Sequence, residues 1–384
     1  MVVFIMTYQK VGIEVINIIK NNGFDAYFVG GFVRDYLLNR PYNDIDIATN
    51  ALPKDLKLIF ETIDVGIKYN SVKIKYQGFE FETTTFRQDL AYNDYRHPVY
   101  QKVDNIFLDL KRRDFTINAM ALNDKMEIID LFNGQKDLEN KLIRTVGDPI
   151  TKFTEDALRM LRAAYFSAKL GFKIEDKTFS ALRSCGYLIQ NLSFERILWE
   201  IEKILNADFW YLGLKVLVEA HLIKFIPVFS EAIEIVLKNN LQISIDDFLT
   251  IAFYFHQDKI NDYSIKNVLK KKFLAAYEII KKVKITNSDL FKYESNEVLL
   301  ADFLANNCLN KKNIKSSYFD IYQSLPIHSS NELKVKAKDI IEILDLKEFR
   351  EVTAITNDLL EQILNNKLAN DVQEIRKYLI RKYS

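Results

Sequence analysis

The chain has 384 residues, a formal net charge of +1 and a hydrophobic content of 48%. This length exceeds what one hydrophobic core usually supports, so we expect at least two domains. The near-zero charge excludes binding of nucleic acid through a global positive field, so such a partner would need local basic patches. Cys185 and Cys308 match no disulfide or zinc spacing, and no apolar run is long enough to span a membrane, so we expect a cytoplasmic protein.

The first predicted elements are a helix, a strand and a second helix that begins at two glycines. Residues 11–21 have helical apolar spacing, residues 27–29 form an apolar run, and helical spacing resumes after Gly30 and Gly31. A pair of glycines alone is usually only a turn. Here, however, glycine lets the main chain approach an anion, the helix start has unpaired N–H groups, and Arg34 adds a cation. We therefore predict a phosphate-binding turn.

Two aspartates follow at a spacing typical of a strand. In the run from Asp44 to Ile47 the isoleucines would face the core and both carboxylates would share one face. An isolated Asp-X-Asp is usually a solvated strand face, but two adjacent carboxylates repel each other unless a cation joins them. Oxygen ligands beside a phosphate site suit Mg²⁺ better than zinc, which usually recruits His or Cys. We predict Asp44 and Asp46 as metal ligands.

The next part of the chain is predicted to extend a sheet and then to form a long loop. Residues 53–60 read as a helix, and the period-two pattern of residues 72–83 predicts a hairpin. Residues 87–101 lose both periods and are polar and aromatic, so we predict a loop there. Long loops inside compact domains are usually functional or disordered.

A basic triplet, from Lys111 to Arg113, precedes an apolar pattern that we interpret as a helix extending to Leu122. Arg112 and Arg113 have an alternative interpretation as solvated charges that open this helix, since a helix N-terminus disfavours cations. Residues 146–149 mark a plausible domain boundary, and almost every later segment has a helical pattern.

A second group of charges lies in a predicted helix from Thr154 to Leu170. Its acidic and basic side chains are three or four residues apart and share one face: Glu155, Asp156, Arg159 and Arg162. The alternative is an ordinary salt-bridged helix surface, because such spacing is common.

Five stretches together resemble the bacterial class II tRNA nucleotidyltransferases, the CCA-adding enzymes of the DNA polymerase β superfamily: GGFVRDYLL, DIDIAT, RRDFTINAMAL, EDALRMLRA and FERILWEI. The resemblance covers about residues 27–200. It implies an α+β fold with a polymerase-β-like nucleotidyltransferase head on a mixed sheet at residues 1–149. An all-α remainder would follow, with a neck at 150–210 that recognises the nucleotide base and a body and tail at 211–384 that bind the tRNA acceptor arm.

The resemblance also implies roles for single residues. Asp44 and Asp46 match the catalytic metal ligands, and six further positions match nucleotide-binding residues of the family: Gly31, Arg34, Arg113, Asp156, Arg159 and Arg162. The chain departs from the family pattern at Tyr165, where an arginine is common.

The residues fit the chemistry of nucleotidyl transfer. Metal ions on Asp44 and Asp46 would activate the RNA 3′-hydroxyl and stabilise the departing pyrophosphate. An acceptor at Asp156 and a donor at Arg159 match the exocyclic amine and ring nitrogen of C and A and oppose the pattern of U and G. We therefore expect template-independent addition of CCA to the 3′ end of tRNA from CTP and ATP, with Mg²⁺ as cofactor and no membrane partner.

Two alternatives remain at this point. The first is a poly(A) polymerase, or an enzyme limited to CC or A addition, on the same scaffold. The loop sequence YNDYRHP resembles that of the CCA-adding enzymes, which argues against a poly(A) polymerase, and it is undeleted, which argues against CC-only addition. The second is a non-catalytic RNA-binding relative, which the intact Asp44 and Asp46 disfavour. In the leading interpretation the 87–101 loop adjusts the nucleotide pocket between C and A addition, and its switching side chains are Asp94, Arg96 and His97.

Overall fold

The structure is a computed structural model that describes residues 2–66, 71–92, 98–282, 284–308, 317–346 and 349–384. The chain forms two compact units, Met1–Pro227 and Val228–Ser384, and each has its own buried apolar core. The predicted boundaries after residues 149 and 210 both fall within the first unit and stay predictions. In the described part, no helix is long and apolar enough to cross a lipid bilayer.

All the described strands belong to the first unit. In chain order they are β1 (Ala26–Val29), β2 (Asp46–Thr49), β3 (Glu61–Gly66), β4 (Ser71–Tyr76), β5 (Phe79–Thr85), β6 (Arg87–Tyr92), β7 (Pro98–Lys102), β8 (Met120–Leu122), β9 (Ile128–Asp130), β10 (Leu142–Ile143) and β11 (Lys173–Ile174). Seven of them form a mixed sheet in the order β3-β4-β5-β2-β1-β8-β9, in which only β2 and β5 run parallel. This confirms the predicted mixed sheet.

The hairpin predicted at residues 72–83 is confirmed as β4 and β5. The two strands pair from Tyr76 opposite Phe79 through Val72 opposite Thr83. Gln77 and Gly78 join them with positive φ angles of 49° and 78°, which is the two-residue turn that matches strand twist. Apolar residues at alternate positions are fully buried, so the period-two pattern marks the core face of the sheet.

The helices of the first unit cover and extend this sheet. They are α1 (Val2–Asn21), α2 (Gly30–Leu37), α3 (Pro53–Ile59), α4 (Ile106–Lys111), α5 (Gly134–Glu139), α6 (Pro149–Glu155), α7 (Leu158–Leu170), α8 (Asp176–Cys185), α9 (Phe194–Leu205) and α10 (Trp210–Glu219). Helix α7 packs against both α9 and α10. Gly213 allows the close approach of α10, because a Cβ there would lie 2.8 Å from the carbonyl oxygen of Ala164.

The prediction of a loop at residues 87–101 is wrong for the described residues of that segment. Strands β6 and β7 pair antiparallel, with Arg87 opposite Lys102, as a separate two-stranded ribbon. The two strands pair through main-chain hydrogen bonds and most of their side chains are polar. Apolar periodicity therefore does not reveal them. Residues 93–97, which include the predicted switching side chains, lie outside the described residues.

The prediction of a helix between Asp114 and Leu122 is also wrong. Helix α4 ends before the arginine pair, residues 116–118 form one 3₁₀ turn, and residues 120–122 form β8 between β1 and β9. A short apolar run that is buried on all sides fits a helix or a strand equally well. The periodicity of this run therefore could not distinguish a helix from a strand. Arg112 and Arg113 therefore follow a helix C-terminus, where cations are favoured.

The single helix predicted from Thr154 to Leu170 is wrong because the helix is interrupted. Helix α6 ends at Glu155, Asp156 is extended with φ −145° and ψ 107°, and α7 begins at Leu158. The Asp156 carboxylate accepts a hydrogen bond from the Leu158 N–H at 3.1 Å, as a capping side chain does at a helix start.

Every regular element described in the second unit is a helix, as predicted for this part of the chain. The helices are α11 (Ser230–Lys238), α12 (Ile245–Phe255), α13 (Asn267–Lys281), α14 (Asn287–Leu290), α15 (Ser295–Cys308), α16 (Tyr318–Gln323), α17 (Ala337–Leu344), α18 (Phe349–Leu364) and α19 (Val372–Tyr383). The core of this unit is mostly aliphatic and includes aromatic pairs such as Phe229 and Phe248, which meet edge to face at 5.3 Å between ring centroids.

Candidate active site

A cleft of about 460 Å³ in the first unit is lined from α2, β2, β6 and α7. It brings together seven of the eight predicted site residues: Gly31, Arg34, Asp46, Arg113, Asp156, Arg159 and Arg162. Seven of its lining side chains are cationic and four are carboxylates, so the cleft has an excess of positive charge. Such a cleft favours a polyanionic ligand.

The glycine turn between β1 and α2 closes one wall of the cleft. Gly30 has φ +70°, and a Cβ at this position would lie 2.9 Å from Asp46 Oδ2 and 3.3 Å from Arg113 Nη1. Strand pairing explains this proximity, since Val29 lies directly opposite Asp46. A Cβ at Gly31 would meet only Arg34 Nη2, at 3.6 Å. The close approach to Asp46 therefore belongs to Gly30, which is not among the predicted site residues, while the role of Gly31 stays a prediction.

Asp46 is the carboxylate at the centre of the cleft. Burial raises its pKa to about 6, Arg113 opposes this shift, and the charges of Glu82 and Asp44 add to it. Among the described residues, no side chain or main-chain group forms a hydrogen bond or ion pair with the Asp46 carboxylate. A buried carboxylate without a partner is costly, and a bound cation would relieve that cost. The site is therefore suited to a divalent metal ion.

Asp44 does not line the cleft. The paired strand begins at Asp46, two residues later than predicted, and the exposed Asp44 lines a neighbouring groove with Lys73, Glu80 and Glu82. The two aspartates still interact electrostatically, since the charge of Asp44 raises the pKa of Asp46. In the described part of the chain, no three His, Cys, Asp or Glu side chains form a preformed metal site.

Arg34 is a buried and rigidly held cation. Its Nε and Nη2 donate to the two carboxylate oxygens of Asp35 at 2.9 and 2.8 Å, and its Nη1 donates to Asn118 Oδ1 at 2.7 Å. Its guanidinium carbon lies 5.3 Å from the ring centroid of Phe166. These contacts fix the orientation of the guanidinium in the cleft wall.

Arg112 and Arg113 are both held by Asp109, a residue that the sequence analysis missed. The fully buried Asp109 accepts hydrogen bonds from Arg112 Nε and Nη2 at 3.0 and 2.8 Å, and from Arg113 Nη2 at 3.1 Å. Burial alone would raise the pKa of Asp109, but the two arginines lower it below the usual value. The signal for this residue was its spacing of three and four from the arginines.

Asp156 and Arg159 both line the cleft but do not pair with each other in this structure. Arg159 forms an ion pair with Glu155 and donates to the carbonyl oxygens of Lys152 at 2.9 Å and Arg112 at 3.2 Å. These contacts anchor the arginine between α6 and the end of α4.

Asp156 is held by Arg196, whose Nη2 lies 3.2 and 3.4 Å from its two carboxylate oxygens. Arg196 belongs to the FERILWEI stretch, to which the sequence analysis gave no role in the site. The contact joins the break between α6 and α7 to helix α9.

Arg162 is fixed by Asp114. Its Nε donates to Asp114 Oδ2 at 2.7 Å. Burial alone would raise the pKa of Asp114, but Arg162 and the hydrogen bonds from Asn118 and the Phe115 N–H hold it at about 2. The pair is therefore ionised at neutral pH.

Tyr165 lies in the cleft wall at the position where the family often has arginine. Lys203 Nζ lies 4.3 Å from the centroid of its ring, within the range of a cation–π contact. Burial raises the pKa of the Tyr165 hydroxyl, so it is neutral at physiological pH.

Comparison with known proteins places these features in a family. Three family models match the chain: the poly A polymerase head domain at residues 26–144, the probable RNA and SrmB-binding site of polymerase A at 171–233, and the putative tRNA nucleotidyltransferase domain 2 at 256–379. The chain is 34% identical to the CCA-adding enzyme of Streptococcus mutans serotype c, with 96% of each chain covered. The chain belongs to the family of CCA-adding enzymes.

Further CCA-adding enzymes are similar to the chain over nearly its whole length. The enzyme of Ligilactobacillus salivarius is 36% identical over 94% of each chain. The solved Bacillus stearothermophilus CCA-adding enzyme in complex with CTP is 30% identical with a TM-score of 0.74, and 97% of this chain and 96% of that chain are covered. The Thermotoga maritima CCA-adding enzyme complexed with tRNA_CCA is 21% identical with a TM-score of 0.69 over 97% and 94% of the two chains, which shows the same fold.

Membership of the CCA-adding family confirms the predicted fold, enzyme class and activity. The chain is a nucleotidyltransferase that adds CCA to tRNA, and its family uses divalent metal ions. Poly(A) polymerase, CC-only or A-only addition and a non-catalytic role are not favoured, because the relatives that match nearly the whole chain are CCA-adding enzymes.

Proposed function

We propose that the cleft is the centre at which the enzyme joins C, C and A to the 3′ end of tRNA, with CTP and ATP as nucleotide donors. The observation that carries this proposal is the environment of Asp46. Its carboxylate lies beside the Gly30 main chain and near Arg113, without a hydrogen-bond or ion-pair partner in the described part of the chain. A reactive phosphate and its metal ion would complete such an arrangement.

The nucleotide triphosphate would lie along the glycine turn. No side chain caps the start of α2, so no side-chain acceptor occupies the N–H groups of its first turn. These N–H groups can therefore donate to a phosphate. Positive charge lies beside both glycines, with Arg113 near Gly30 and Arg34 near Gly31. The Arg113 Nε is buried and has no hydrogen-bond partner among the described residues, which suits contact with a phosphate oxygen.

Asp46, with Asp44 from the neighbouring groove, would hold Mg²⁺. When bound, the metal would lower the pKa of the RNA 3′-hydroxyl and stabilise charge on the leaving pyrophosphate. Two carboxylates suffice for such a site, because Mg²⁺ usually keeps water and phosphate oxygens as its other ligands. The role of the protein is to place the triphosphate in line with the incoming hydroxyl.

Asp156 and Arg159 would read the base. Asp156 presents an acceptor whose orientation is fixed by the Leu158 N–H and by Arg196, while Arg159 presents donors anchored by main-chain carbonyls. C and A offer a donor next to an acceptor and satisfy both groups. U and G offer the reverse and would leave buried polar groups unpaired, which costs about 1–3 kcal/mol per group and gives roughly hundredfold discrimination or more. Arg162, fixed by Asp114, would contact the same nucleotide.

The division of labour along the chain is part of this proposal. Residues 1–149 would supply the catalytic head, 150–210 the neck that reads the base, and 211–384 the body and tail that hold the tRNA acceptor arm. Since tRNA, CTP and ATP meet in the cytoplasm, we infer a cytoplasmic location.

The test replaces each proposed metal ligand by its uncharged isostere. We expect Asp46→Asn and Asp44→Asn to lose CMP and AMP incorporation at every Mg²⁺ concentration, and to retain the thermal unfolding midpoint and tRNA affinity of the wild type. The control is Asp64→Asn, since Asp64 is an exposed aspartate of β3 that pairs with Lys57. Near wild-type turnover of Asp46→Asn with Mg²⁺ would overturn the assignment of the active centre.

A further inference from the structure

A second groove, of about 490 Å³, adjoins the cleft in the first unit. The two share Tyr165 and Lys169 as lining residues. The groove is also lined by Trp199 and Lys203 of α9 and by Arg40. A ligand that extends out of the cleft past Tyr165 would enter this groove.

The groove presents an exposed aromatic face beside a fixed cation. Trp199 is 63% exposed, whereas Trp210, the other tryptophan of the chain, is 7% exposed and packs in the core. Lys203 Nζ lies 5.2 Å from the Trp199 ring centroid and 4.3 Å from that of Tyr165, and it donates to Glu200 at 2.7 Å. These contacts hold the ammonium between two rings, so Trp199 offers a pre-positioned surface for stacking.

The charge of the groove suits a single phosphodiester. Each of its three cations forms an ion pair: Arg40 with Asp208 at 3.2 Å, Lys169 with Asp35 at 3.4 Å and Lys203 with Glu200 at 2.7 Å. The cations of the groove are therefore largely neutralised, whereas the cations that line the cleft outnumber its carboxylates. The groove could not neutralise the several negative charges of a triphosphate. One nucleotide unit of an RNA strand carries only one negative charge, which the groove can accommodate.

We propose that this groove binds one nucleotide of the unpaired 3′ end of the acceptor RNA, with its base stacked on Trp199 and its phosphate beside Lys203 and Arg40. The inference rests on the proposed function, since the cleft must receive the RNA 3′-hydroxyl. It adds a route for the strand, from the groove past Tyr165 into the cleft. Stacking of this kind tolerates any base, so the groove can hold successive nucleotides as the end grows.

The first test uses the fluorescence of Trp199. We expect a tRNA transcript that ends in CC to quench part of the tryptophan emission of the wild type, and the same RNA without its unpaired 3′ nucleotides to leave it unchanged. Trp199→Phe should lose the quenching, because only the buried Trp210 remains. Equal quenching by the truncated RNA, or quenching by CTP alone at saturating concentration, would overturn the proposal.

The second test is kinetic. Trp199→Ala should raise the KM for tRNA about tenfold, as expected for loss of one base–aromatic stack, and leave the KM for CTP unchanged, while Trp199→Phe retains most of the affinity. The control is Tyr187→Ala, since Tyr187 is a 58% exposed aromatic outside the groove. Equal KM values for the two alanine variants would overturn the groove assignment. That result would leave the proposed function standing, because CCA addition by the wild type is measured in the same assay.

Discussion

The Arg196 guanidinium contacts both carboxylate oxygens of Asp156, at 3.2 and 3.4 Å, across the break between α6 and α7. The contact fixes the one acidic group that the proposed base-reading mechanism requires in a defined orientation. Arg196 does not itself line the cleft, so its effect on the nucleotide passes through Asp156. It is a positioning residue for base selection.

Replacement of Arg196 by methionine should therefore relax nucleotide selection. Without the Arg196 contact, the Asp156 carboxylate can rotate. We therefore expect the preference for CTP and ATP over UTP and GTP to fall about tenfold or more, which is the effect of losing one charge-assisted hydrogen bond. The measurement is kcat/KM for each of the four nucleotides. Arg196→Lys should restore part of the preference. The control is Arg183→Met, since Arg183 lies outside the cleft, donates to the carbonyl oxygen of Glu219 and packs over the Phe179 ring. An Arg196→Met variant with wild-type selectivity would exclude the positioning role.

Gly30→Ala should strongly reduce turnover with only a modest loss of stability. The new Cβ would lie 2.9 Å from Asp46 Oδ2, so the carboxylate must shift, and a displacement of this size can reduce turnover about a hundredfold. The matched control is Gly78→Ala, which has a similar φ of +78° but no heavy atom within 4 Å. Both changes should lower stability by about 1–2 kcal/mol through backbone strain. Equal effects of the two variants on turnover would show that Gly30 is needed only for the turn.

Asp114→Asn should lower stability in a pH-dependent way. The pKa of Asp114 is about 2 in the folded protein, below the ordinary value of 3.8, so ionisation of Asp114 stabilises the fold above pH 3.8. This contribution, about 2 kcal/mol for a shift of this size, is lost as the pH falls toward 2. We expect the wild type to unfold at a higher urea concentration than the variant at pH 7, and the gap to narrow below pH 4. A gap that stays constant from pH 7 to pH 3.5 would contradict the ionic character of the Asp114–Arg162 pair.

The parts of the fold that could be predicted from sequence are those with local signals. The turn at Gly30 and the hairpin at Gln77 and Gly78 follow from neighbouring residues alone. The break at Asp156 could not be predicted, because the apolar spacing of α6 and α7 stays in phase across it and Asp156 is held by a residue 40 positions later. The sequence predicted which residue types gather in the cleft, but it could not predict which residues hold them in place. The ion-pair partner of Arg162, for example, lies 48 positions earlier in the chain. The choice of Gly30 over Gly31 depends on the position of Asp46, which is a tertiary feature.

Shortening the β6–β7 ribbon should separate C addition from A addition. The pocket must accept C twice and then the larger A, so we expect an element attached to the head to adjust it between these steps. We expect deletion of residues 90–97 to leave CC addition largely intact and to stop the product before the terminal A. Leu90→Ala, a change at an exposed side chain of the same segment, serves as the control. Equal losses of C and A addition would reduce the ribbon to a structural role.

The most direct test of the central claim is the sequence of the product. Wild-type enzyme is incubated with tRNA transcripts that end at the discriminator nucleotide, at C and at CC, with CTP and ATP separately and together. We predict CCA, CA and A additions with both nucleotides, a stop after the second C with CTP alone, and addition by ATP alone only to the transcript ending in CC. Asp46→Asn should give none of these products. Long A tails from ATP alone, or unaltered CCA addition by Asp46→Asn, would contradict the account of this cleft as the CCA-adding centre.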